Sequence, residues 1–198
     1  MQVIFILFST IIIKGKSVHK DVQDYCLKIQ SKYPSYFQDT NVLDVGSLDI
    51  NGNNRYLFKN ATYNGLDLAK GKNVDIVSPT HLFNAPDAFY DFIISTECFE
   101  HDMYWRESIL NIIRLLKPNG AFLFTCASTN RHEHGTERTD GGYSAPFLLD
   151  MDNSWKNYYR NLTADDIKSI AGFKGVWEFC EFEYNANYTD LYFFGVKR

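Results

Sequence analysis

Apolar positions in this 198-residue chain form two kinds of pattern: stretches with helical spacing and short runs rich in β-branched residues. Between Val18 and Ile29 they recur at helical spacing, which predicts a helix that ends before Pro34. The next apolar run, Asn41–Val45, is β-branched and leads directly into Gly46, as a buried strand does before a sharp turn. The chain thus begins with a helix followed by a strand.

The same alternation continues through the middle of the chain. Runs that predict four more strands are Thr62–Leu68, Val74–Val77, Phe92–Thr96 and Ala121–Ala127. Between the last two of these strands, apolar residues from Ile109 to Leu116 mark one face of a helix that stops at Lys117-Pro118-Asn119-Gly120. Strands that alternate with helices favour right-handed crossovers and a parallel sheet.

The C-terminal part has a different pattern. Thr163 and Asp166 have the spacing of a capping box, which predicts a helix reaching towards Gly172. Two strand-like runs follow, Val176–Tyr184 and Leu191–Lys197, with no helical pattern between them, so they are expected to form an antiparallel hairpin. The predicted fold is α/β: a Rossmann-like, doubly wound, mostly parallel seven-stranded sheet with a C-terminal antiparallel hairpin and helices on both faces.

No linker divides the sequence, so one domain is expected, with an N-terminal arm and helix in residues 1–40 and the main domain in residues 41–198. The apolar stretch through Ile13 is short for a membrane span and has no basic residues before it. We interpret it as a packed arm or an added strand, with a weak signal or membrane anchor as the alternative. No other segment could cross a membrane.

Charge and cysteine content narrow the possible partners. A net charge of −4 gives no electrostatic footprint for nucleic acid, so a nucleic-acid acceptor is not expected. The four cysteines are widely spaced and include no C-x-x-C pair, which is typical of small apolar side chains in a reducing compartment. A cytoplasmic location follows from this interpretation.

Candidate binding residues cluster where the predicted parallel strands end. In an open α/β sheet, ligands bind beyond the carboxyl ends of the strands, here Asp44–Gly52, Asp67 and Ser95–Glu100. Gly46 permits a sharp turn, and Asn51-Gly52 tolerates positive φ. Asp67 lies about 20 residues after the glycine turn, where an acid accepts hydrogen bonds from ribose hydroxyls. Together these residues favour a ribose-containing ligand.

Four segments, in this order, resemble successive motifs of class I S-adenosylmethionine-dependent methyltransferases, in particular the methyltransferase type 11-like group: VLDVGSLDINGNNR, YNGLDL, YDFIISTECFEH and LLKPNGAFLFTCAS. The terminal hairpin agrees with the extra antiparallel strand of that family. The resemblance implies that residues 41–198 form a methyltransferase domain and that S-adenosylmethionine is its cofactor.

The resemblance also implies roles for individual residues. Asp44 and Gly46 would lie under the methionine part of the cofactor, with Ser47 and Asp49 near its amino and carboxylate groups and Gly52 closing the loop. Asp67 would bind the ribose diol, Leu68 would pack on the adenine, and Ser95, Thr96 and Glu97 would lie beside the methionine portion and the sulfonium.

The sequence departs from the family pattern in two places. Leu48 and Ile50 interrupt the usual glycine-rich loop. Ser78, Pro79 and Thr80 stand where an acid often contacts the adenine amine. The contacts to adenine are therefore the least specified part of the predicted site.

Three histidines are candidates for catalysis. Methyl transfer needs a base only when the acceptor carries a proton that must leave, and histidine titrates near neutral pH. His101 follows the fourth strand, and His132 and His134 lie in the polar loop after the fifth. The run His132-Glu133-His134 is also a weak metal signal, but no metal is expected. The stretch Ser128–Tyr159 has little periodicity and is expected to be a substrate-selecting loop.

The sequence thus predicts methyl transfer to a small molecule or glycan, with O-methylation and a histidine general base. One alternative is a catalytically degenerate scaffold that still binds cofactor. Another is a nucleotide-dependent oxidoreductase, which is disfavoured because Leu48 and Asn51 stand where a G-x-G-x-x-G motif needs glycines.

Overall fold

A computed structural model describes residues 18–198 of the chain. Its strands are β1 (Asn41–Val45), β2 (Thr62–Asp67), β3 (Ile76–Val77), β4 (Tyr90–Thr96), β5 (Leu116–Ala127), β6 (Trp177–Tyr184) and β7 (Asp190–Lys197). They form one seven-stranded sheet in the order β3-β2-β1-β4-β5-β7-β6. β3 is shorter than expected, whereas β4 and β5 begin earlier than the predicted Phe92 and Ala121.

The sheet is parallel except at one edge. β1 pairs in parallel with both β2 and β4, so the strand order reverses direction around β1. β7 lies antiparallel between β5 and β6, which confirms the terminal hairpin. The predicted fold class is therefore confirmed, and ligands are expected at the carboxyl ends of β1 and β4, where the order reverses.

Helices cover both faces of the sheet. They are α1 (Val18–Lys32), α2 (Trp105–Leu115), α3 (Asn153–Lys156), α4 (Ala164–Lys168) and α5 (Phe173–Val176). On one face, Cys26 and Ile29 of α1 pack in a core with Phe92. On the other face, Ile109 and Ile112 of α2 belong to a second core. The sheet lies between these two cores, so its central strands are apolar on both sides, as expected for parallel strands.

The connections around β1 contain less helix than the alternating pattern predicted. Residues 46–61 and 78–89, all described, contain only the short 3-10 turns Arg55–Leu57 and Thr80–Leu82. Residues 46–61 are mostly polar and carry no apolar face that a helix could bury. As a consequence, a loop rather than a helix follows β1 across the edge of the sheet.

The capping box is present at the start of α4. The Thr163 hydroxyl accepts a hydrogen bond from the Asp166 backbone N–H at 3.2 Å, and the Asp166 carboxylate accepts one from the Thr163 N–H at 3.0 Å. The helix ends at Lys168, earlier than expected, and Gly172 then takes a left-handed conformation with φ of 79°.

Three further sequence-based expectations concern the N-terminal arm, membrane spans and the cysteines. The expected N-terminal arm through Ile13 lies outside the described residues. Among the described helices, none has the length and apolar character needed to cross a bilayer. Cys26, Cys98, Cys126 and Cys180 form no disulfides.

Candidate cofactor and acceptor site

A cavity of about 280 Å³ opens at the carboxyl ends of β1, β2 and β4. Its lining includes Gly46, Ser47 and Gly52 after β1, Asp67 and Leu68 at β2, Thr96, Glu97 and His101 at β4, Arg131 and His134 after β5, and Phe147, Leu148 and Trp155 further along the chain. The strand ends that the sequence analysis singled out and the loop after β5 therefore contribute residues to one cavity.

Gly46 makes the sharp turn at the end of β1. Its φ is +74°, and a Cβ there would lie 2.5 Å from the Cys98 Sγ, so only glycine fits both the conformation and the space. The N–H groups of Gly46 and Ser47 both donate to the Leu66 carbonyl, at 3.0 and 3.2 Å. The Ser47 hydroxyl is buried and has no hydrogen-bond partner within the described chain, although it lines the cavity.

Asp44 is a buried anchor beneath this turn. Its carboxylate accepts hydrogen bonds from the Tyr63 hydroxyl at 2.5 Å and from the Asn54 and Asn73 amides at 3.3 and 3.4 Å. Burial raises the pKa of Asp44 to about 6, although these hydrogen bonds oppose the shift. Asp44 borders the cavity, but its hydrogen bonds hold β1, β2 and the loop together.

Asp49 organises the loop that follows. It accepts hydrogen bonds from the Gly52 N–H at 2.8 Å and the Asn53 amide at 2.9 Å, and pairs with the Lys72 ammonium at 2.9 Å. Hydrogen bonds from Asn53 and Lys72 lower the pKa of Asp49. Gly52 lines the cavity whereas Asp49 is not among the lining residues, so a contact between Asp49 and the cofactor stays a prediction.

Asp67 ends β2 at the cavity wall beside Leu68. Its two carboxylate oxygens accept hydrogen bonds from the Leu48 N–H at 2.9 Å and from the Leu68 N–H at 2.7 Å. Burial raises the pKa of Asp67. A carboxylate accepts about four hydrogen bonds, so about half of its capacity remains for a ligand. Ser78 and Thr80, which replace the family's acid, also line the cavity.

Of the three residues predicted at the end of β4, two line the cavity and one does not. Ser95 is fully buried, donates to the Val45 carbonyl at 3.0 Å and is not a lining residue. Thr96 lines the cavity and accepts a hydrogen bond from the Asn54 amide at 3.1 Å. Glu97, with φ of 52°, also lines it. Burial, with a smaller contribution from the Asp190 charge, raises the pKa of Glu97 to about 7.

Two of the three candidate histidines meet at the cavity. The rings of His101 and His134 are perpendicular, with centroids 5.0 Å apart, and each ring also contacts Tyr159. Burial and the neighbouring His134 lower the pKa of His101 to about 3, so its imidazole is neutral at physiological pH. His132 is exposed and does not line the cavity; its carbonyl accepts hydrogen bonds from the His134 Nδ1–H and the Tyr159 hydroxyl.

The run His132-Glu133-His134 does not converge on a single point. Glu133 instead pairs with Arg138 at 2.7 Å and accepts a hydrogen bond from the Thr136 hydroxyl at 2.8 Å. The carboxylate that does approach His134 is Glu100, whose Oε1 lies 4.0 Å from the His134 Nε2. Glu100 is fully buried, and neither of its oxygens has a hydrogen-bond donor within the described chain.

Asn54 and Arg131 are among the lining residues that sequence reasoning missed. Asn54 is buried and bridges Asp44 and Thr96, and only its place in the polar run after Gly52 pointed to it. Arg131 pairs with Asp190 at 2.7 Å and with Glu97 at 3.5 Å. Nothing in the sequence distinguishes Arg131 from the other charged residues of its loop, because its partners lie directly after β4 and at the start of β7.

The aperiodic stretch 128–159 forms part of the cavity wall. It consists of turns, a 3-10 helix at Pro146–Asp150 and the short helix α3. Phe147, Leu148 and Trp155 from this stretch line the cavity and give it an apolar side. Tyr143, in contrast, is 69% exposed. The loop therefore reaches the site at two places, through Arg131 and His134 near its start and through Phe147, Leu148 and Trp155 in its second half.

Comparison with known proteins agrees with this geometry. The family model described as a methyltransferase domain matches residues 19–171. No curated protein matches the sequence.

Solved structures of similar fold include three relevant neighbours. Phosphoethanolamine N-methyltransferase 2 of Haemonchus contortus, in complex with S-adenosyl-L-methionine, is 18% identical, with a TM-score of 0.61 over 88% of this chain and 52% of that one. The PH0226 protein of Pyrococcus horikoshii OT3 is 13% identical, with a TM-score of 0.61 over 93% of both chains. The 1,6-didemethyltoxoflavin-N1-methyltransferase of Burkholderia thailandensis, bound to S-adenosylhomocysteine and 1,6-didemethyltoxoflavin, is 14% identical, with a TM-score of 0.54 over 90% of this chain and 83% of that one.

At these identities the neighbours establish the fold, and this chain spans about half the length of the Haemonchus enzyme. The match to the family covers most of the chain and includes every strand from β1 to β5. The chain therefore belongs to the methyltransferase-domain family and has the fold of the class I S-adenosylmethionine-dependent methyltransferases.

Proposed function

We propose that this chain binds S-adenosylmethionine in the cavity and transfers the methyl group to an oxygen atom of a small molecule or glycan. The observation that carries the proposal is the convergence of the β1 turn at Gly46, the Asp67 carboxylate and the β4 end at Glu97 on one cavity that His101 and His134 also line. The S-adenosyl ligands of the Haemonchus and Burkholderia neighbours support the choice of cofactor.

The residues around the cavity fit this cofactor. Asp67 has acceptor capacity left for a ribose diol, and Leu68 offers an apolar surface to the adenine. The buried Ser47 hydroxyl has no partner within the described chain, so a polar ligand group would satisfy it. When bound, the cofactor supplies a methyl group that its sulfonium charge already activates. The chain's main task is then to orient the acceptor.

The cavity lining supports the proposal of a single domain. We propose that residues 41–198 form its catalytic part and that α1 belongs to the same domain. Val22 and Cys26 of α1 line the cavity, so this helix contributes to the binding site itself.

The acceptor is proposed to be small because the site is a cavity of about 280 Å³, with an apolar wall formed by Phe147, Leu148 and Trp155 of the 128–159 loop. The net charge of −4 gives no support to a nucleic-acid acceptor. The Burkholderia neighbour, crystallised with 1,6-didemethyltoxoflavin, shows that a domain of this fold can hold a small acceptor.

A hydroxyl acceptor must lose its proton, and the histidine pair supplies the candidate base. With its pKa lowered to about 3, His101 is a weak proton acceptor, so we assign proton removal to His134 and positioning to His101. His134→Ala is expected to lower kcat by about 10²–10⁴-fold. His132→Ala is the matched comparison, because its ring lies outside the cavity. An equal loss in both variants would contradict the assignment.

Thermal unfolding tests cofactor binding directly. S-adenosylmethionine and S-adenosylhomocysteine at 100 times their Kd should stabilise the protein by about 2.7 kcal/mol, roughly 5–10 °C in Tm for this chain length. Asp67→Asn should reduce this shift, because its carboxylate is assigned to the ribose.

The same measurement separates the alternatives. A shift with a nicotinamide dinucleotide alone would overturn the proposal in favour of an oxidoreductase. A shift with the adenosyl compounds, without turnover on a broad panel of small hydroxylated acceptors and sugars, would instead favour a cofactor-binding scaffold.

A further inference from the structure

We propose that Glu100, His101 and His134 bind a divalent transition-metal ion beside the cavity. Each residue offers one ligand atom, a carboxylate oxygen or a ring nitrogen, and these atoms lie within 4.8 Å of one another. The three residues come from two separate segments, the turn after β4 and the loop after β5, which the sheet brings together. Since the sequence alone predicted no metal here, the proposal revises that expectation.

The Glu100 carboxylate is buried without a partner in the described chain that would stabilise its charge. Its side chain is fully buried, and neither carboxylate oxygen accepts a hydrogen bond from any described residue. A buried carboxylate without donors is costly, so such a group is either protonated or paired with a cation.

Charge balance points to a missing cation. Three carboxylates, those of Glu97, Glu100 and Asp190, are buried or largely buried on this side of the sheet. Among the described residues, Arg131 is the cation that pairs with Glu97 and with Asp190, at 3.5 and 2.7 Å. Glu100 has no ion pair with a described lysine or arginine. A divalent ion at Glu100 would supply the direct cationic partner that Arg131 gives to Glu97 and Asp190.

His134 is oriented for ligation by its own loop. Its Nδ1–H donates to the His132 carbonyl at 3.1 Å, because a carbonyl can only accept. That bond fixes the neutral tautomer in which Nε2 carries the lone pair, and Nε2 lies 4.0 Å from the Glu100 Oε1. Metal-binding histidines are commonly held in this way, with the second ring nitrogen donating to a backbone carbonyl.

The loop is shaped around the His101 ring. Gly135 has a φ of +70°, and a Cβ there would lie 2.5 Å from the His101 Cε1 and 3.0 Å from its Nδ1. The backbone therefore passes against the ring where any other residue would collide with it. The His101 Nδ1 is itself buried without a hydrogen-bond partner among the described residues.

The ligand set indicates the class of ion. Two imidazoles and one carboxylate suit Zn²⁺, Fe²⁺ or Ni²⁺ better than Mg²⁺ or Ca²⁺, which prefer oxygen ligands. Ligation at about 2.0–2.2 Å requires the three atoms to close by roughly 1 Å, and His134 lies in a loop with its side chain 22% exposed. Three protein ligands leave a position open for water or substrate, as at catalytic zinc sites.

The consequence for catalysis, unlike the binding itself, rests on the proposed function. An ion at this position would lower the pKa of an acceptor hydroxyl that binds to it. His134 would then act as a ligand instead of the base, while cofactor binding would be unaffected.

Metal titration of the full chain tests the inference. Protein stripped with EDTA is titrated with Zn²⁺ by calorimetry, and with Co²⁺ by visible absorption, which reports the coordination geometry. One ion per chain is expected, with binding at least tenfold weaker in Glu100→Gln and in His134→Ala. The matched control is His132→Ala, which removes a neighbouring histidine outside the cluster and should bind as wild type does.

Two results would overturn the proposal: no binding by the wild-type chain, or undiminished binding by both Glu100→Gln and His134→Ala. Because Glu100 is buried, its variant is checked for folding by thermal unfolding; His134→Ala alters a partly exposed side chain and keeps the test valid if the other variant does not fold.

The S-adenosylhomocysteine shift, measured on the same EDTA-stripped protein, separates the two proposals. A shift without metal binding overturns the metal site and leaves the methyltransferase function standing. Metal binding without a shift supports the metal site and removes the proposed function.

Discussion

The acidic residues on the two sides of the cavity differ in how many hydrogen bonds they accept from the protein. On the side of β1 and β2, Asp44, Asp49 and Asp67 each accept at least two hydrogen bonds from the protein. On the side of β4 and β5, both oxygens of Glu100 and the Oε2 of Glu97 have no hydrogen-bond donor within the described chain. Burial raises the pKa of both glutamates.

This difference indicates what each side requires from its ligand. The β1–β2 side is already shaped by its own hydrogen bonds, apart from the Ser47 hydroxyl, so it can receive a fixed cofactor with little rearrangement. The β4–β5 side holds buried polar atoms that only a ligand, an ion or a proton would satisfy. Acceptor choice and catalysis are therefore expected to depend on the second side.

Arg131→Met should cause the largest loss of stability, since it removes the cation that pairs with Glu97 and Asp190 on the β4–β5 side. Asp190 is fully buried and pairs with Arg131 at 2.7 Å. Breaking a buried ion pair by removing one partner typically costs about 3–5 kcal/mol. Urea unfolding at pH 7 measures the change in the free energy of unfolding.

The double variant Arg131→Met/Asp190→Asn is the control for that loss. It removes both charges of the pair and should recover part of the stability, because no aspartate is then left unpaired. If Arg131→Met cost less than about 1 kcal/mol, the acidic residues of this side would not depend on Arg131 for their charge balance.

The second largest loss of stability is expected at the turn after β1, on the β1–β2 side of the cavity. Gly46→Ala places a Cβ 2.5 Å from the Cys98 Sγ, at a φ of +74°. Left-handed strain and overpacking together should cost about 2–4 kcal/mol and weaken S-adenosylhomocysteine binding at least tenfold. Chemical denaturation and calorimetry measure the two losses.

Gly141→Ala is the matched control for backbone strain. Gly141 has a φ of +63°, but a Cβ there meets nothing within 4 Å, so its cost should be only about 1–2 kcal/mol. Cys98→Gly in the Gly46→Ala background should recover the part due to the clash. Equal losses at Gly46 and Gly141 would show that the close approach to Cys98 is unimportant.

The two sides also differ in how well the sequence predicted them. The strands, the mostly parallel sheet and the terminal hairpin were predictable, because buried parallel strands leave continuous apolar runs and no helical pattern separates the last two strands. Gly46 and Asp67 were located through a local turn and a fixed offset, and Leu68 through the family resemblance; all three line the cavity. The loops in place of helices around β1 were not foreseen, because alternation of strands with helices was extended to a polar stretch.

The β4–β5 side was harder to predict because its contacts join residues far apart in the chain. Arg131 meets Glu97 and Asp190 only after β5 has paired with β4 and β7. Glu100 and His134 are likewise brought together by the fold, whereas the adjacent Glu133 turns away to Arg138. The run His132-Glu133-His134 was only a weak metal signal in the sequence, and the loop conformation separates these side chains.

The pH dependence of stability tests the buried anchor Asp44. Its pKa is raised from 3.8 to about 6, so its protonated form is favoured in the folded state. The stability associated with this proton is fully present below pH 3.8 and is lost as the pH rises through about 6. The loss amounts to at most about 3 kcal/mol.

Asp44→Asn should flatten this part of the profile, because an amide does not titrate. Urea unfolding of both proteins between pH 4 and pH 7.5 gives the comparison, and other acids cancel since both proteins share them. Parallel profiles would show that the hydrogen bonds from Tyr63, Asn54 and Asn73 offset the cost of burying the charge.

The smallest effects are expected in the loop after Gly46, where Asp49 and Lys72 form a pair of unequal members. Asp49 is 6% exposed and organises the loop through Gly52 and Asn53, whereas the Lys72 side chain is 76% exposed. Asp49→Ala should cost about 1 kcal/mol and weaken S-adenosylhomocysteine binding several-fold, because the loop loses its internal hydrogen bonds.

Lys72→Ala should change stability by less than about 0.5 kcal/mol, since a surface ion pair contributes little. Calorimetry on both variants is decisive for this side of the cavity: if Lys72→Ala weakened binding as much as Asp49→Ala, the ion pair itself, and not the shape of the loop, would be what the cofactor requires.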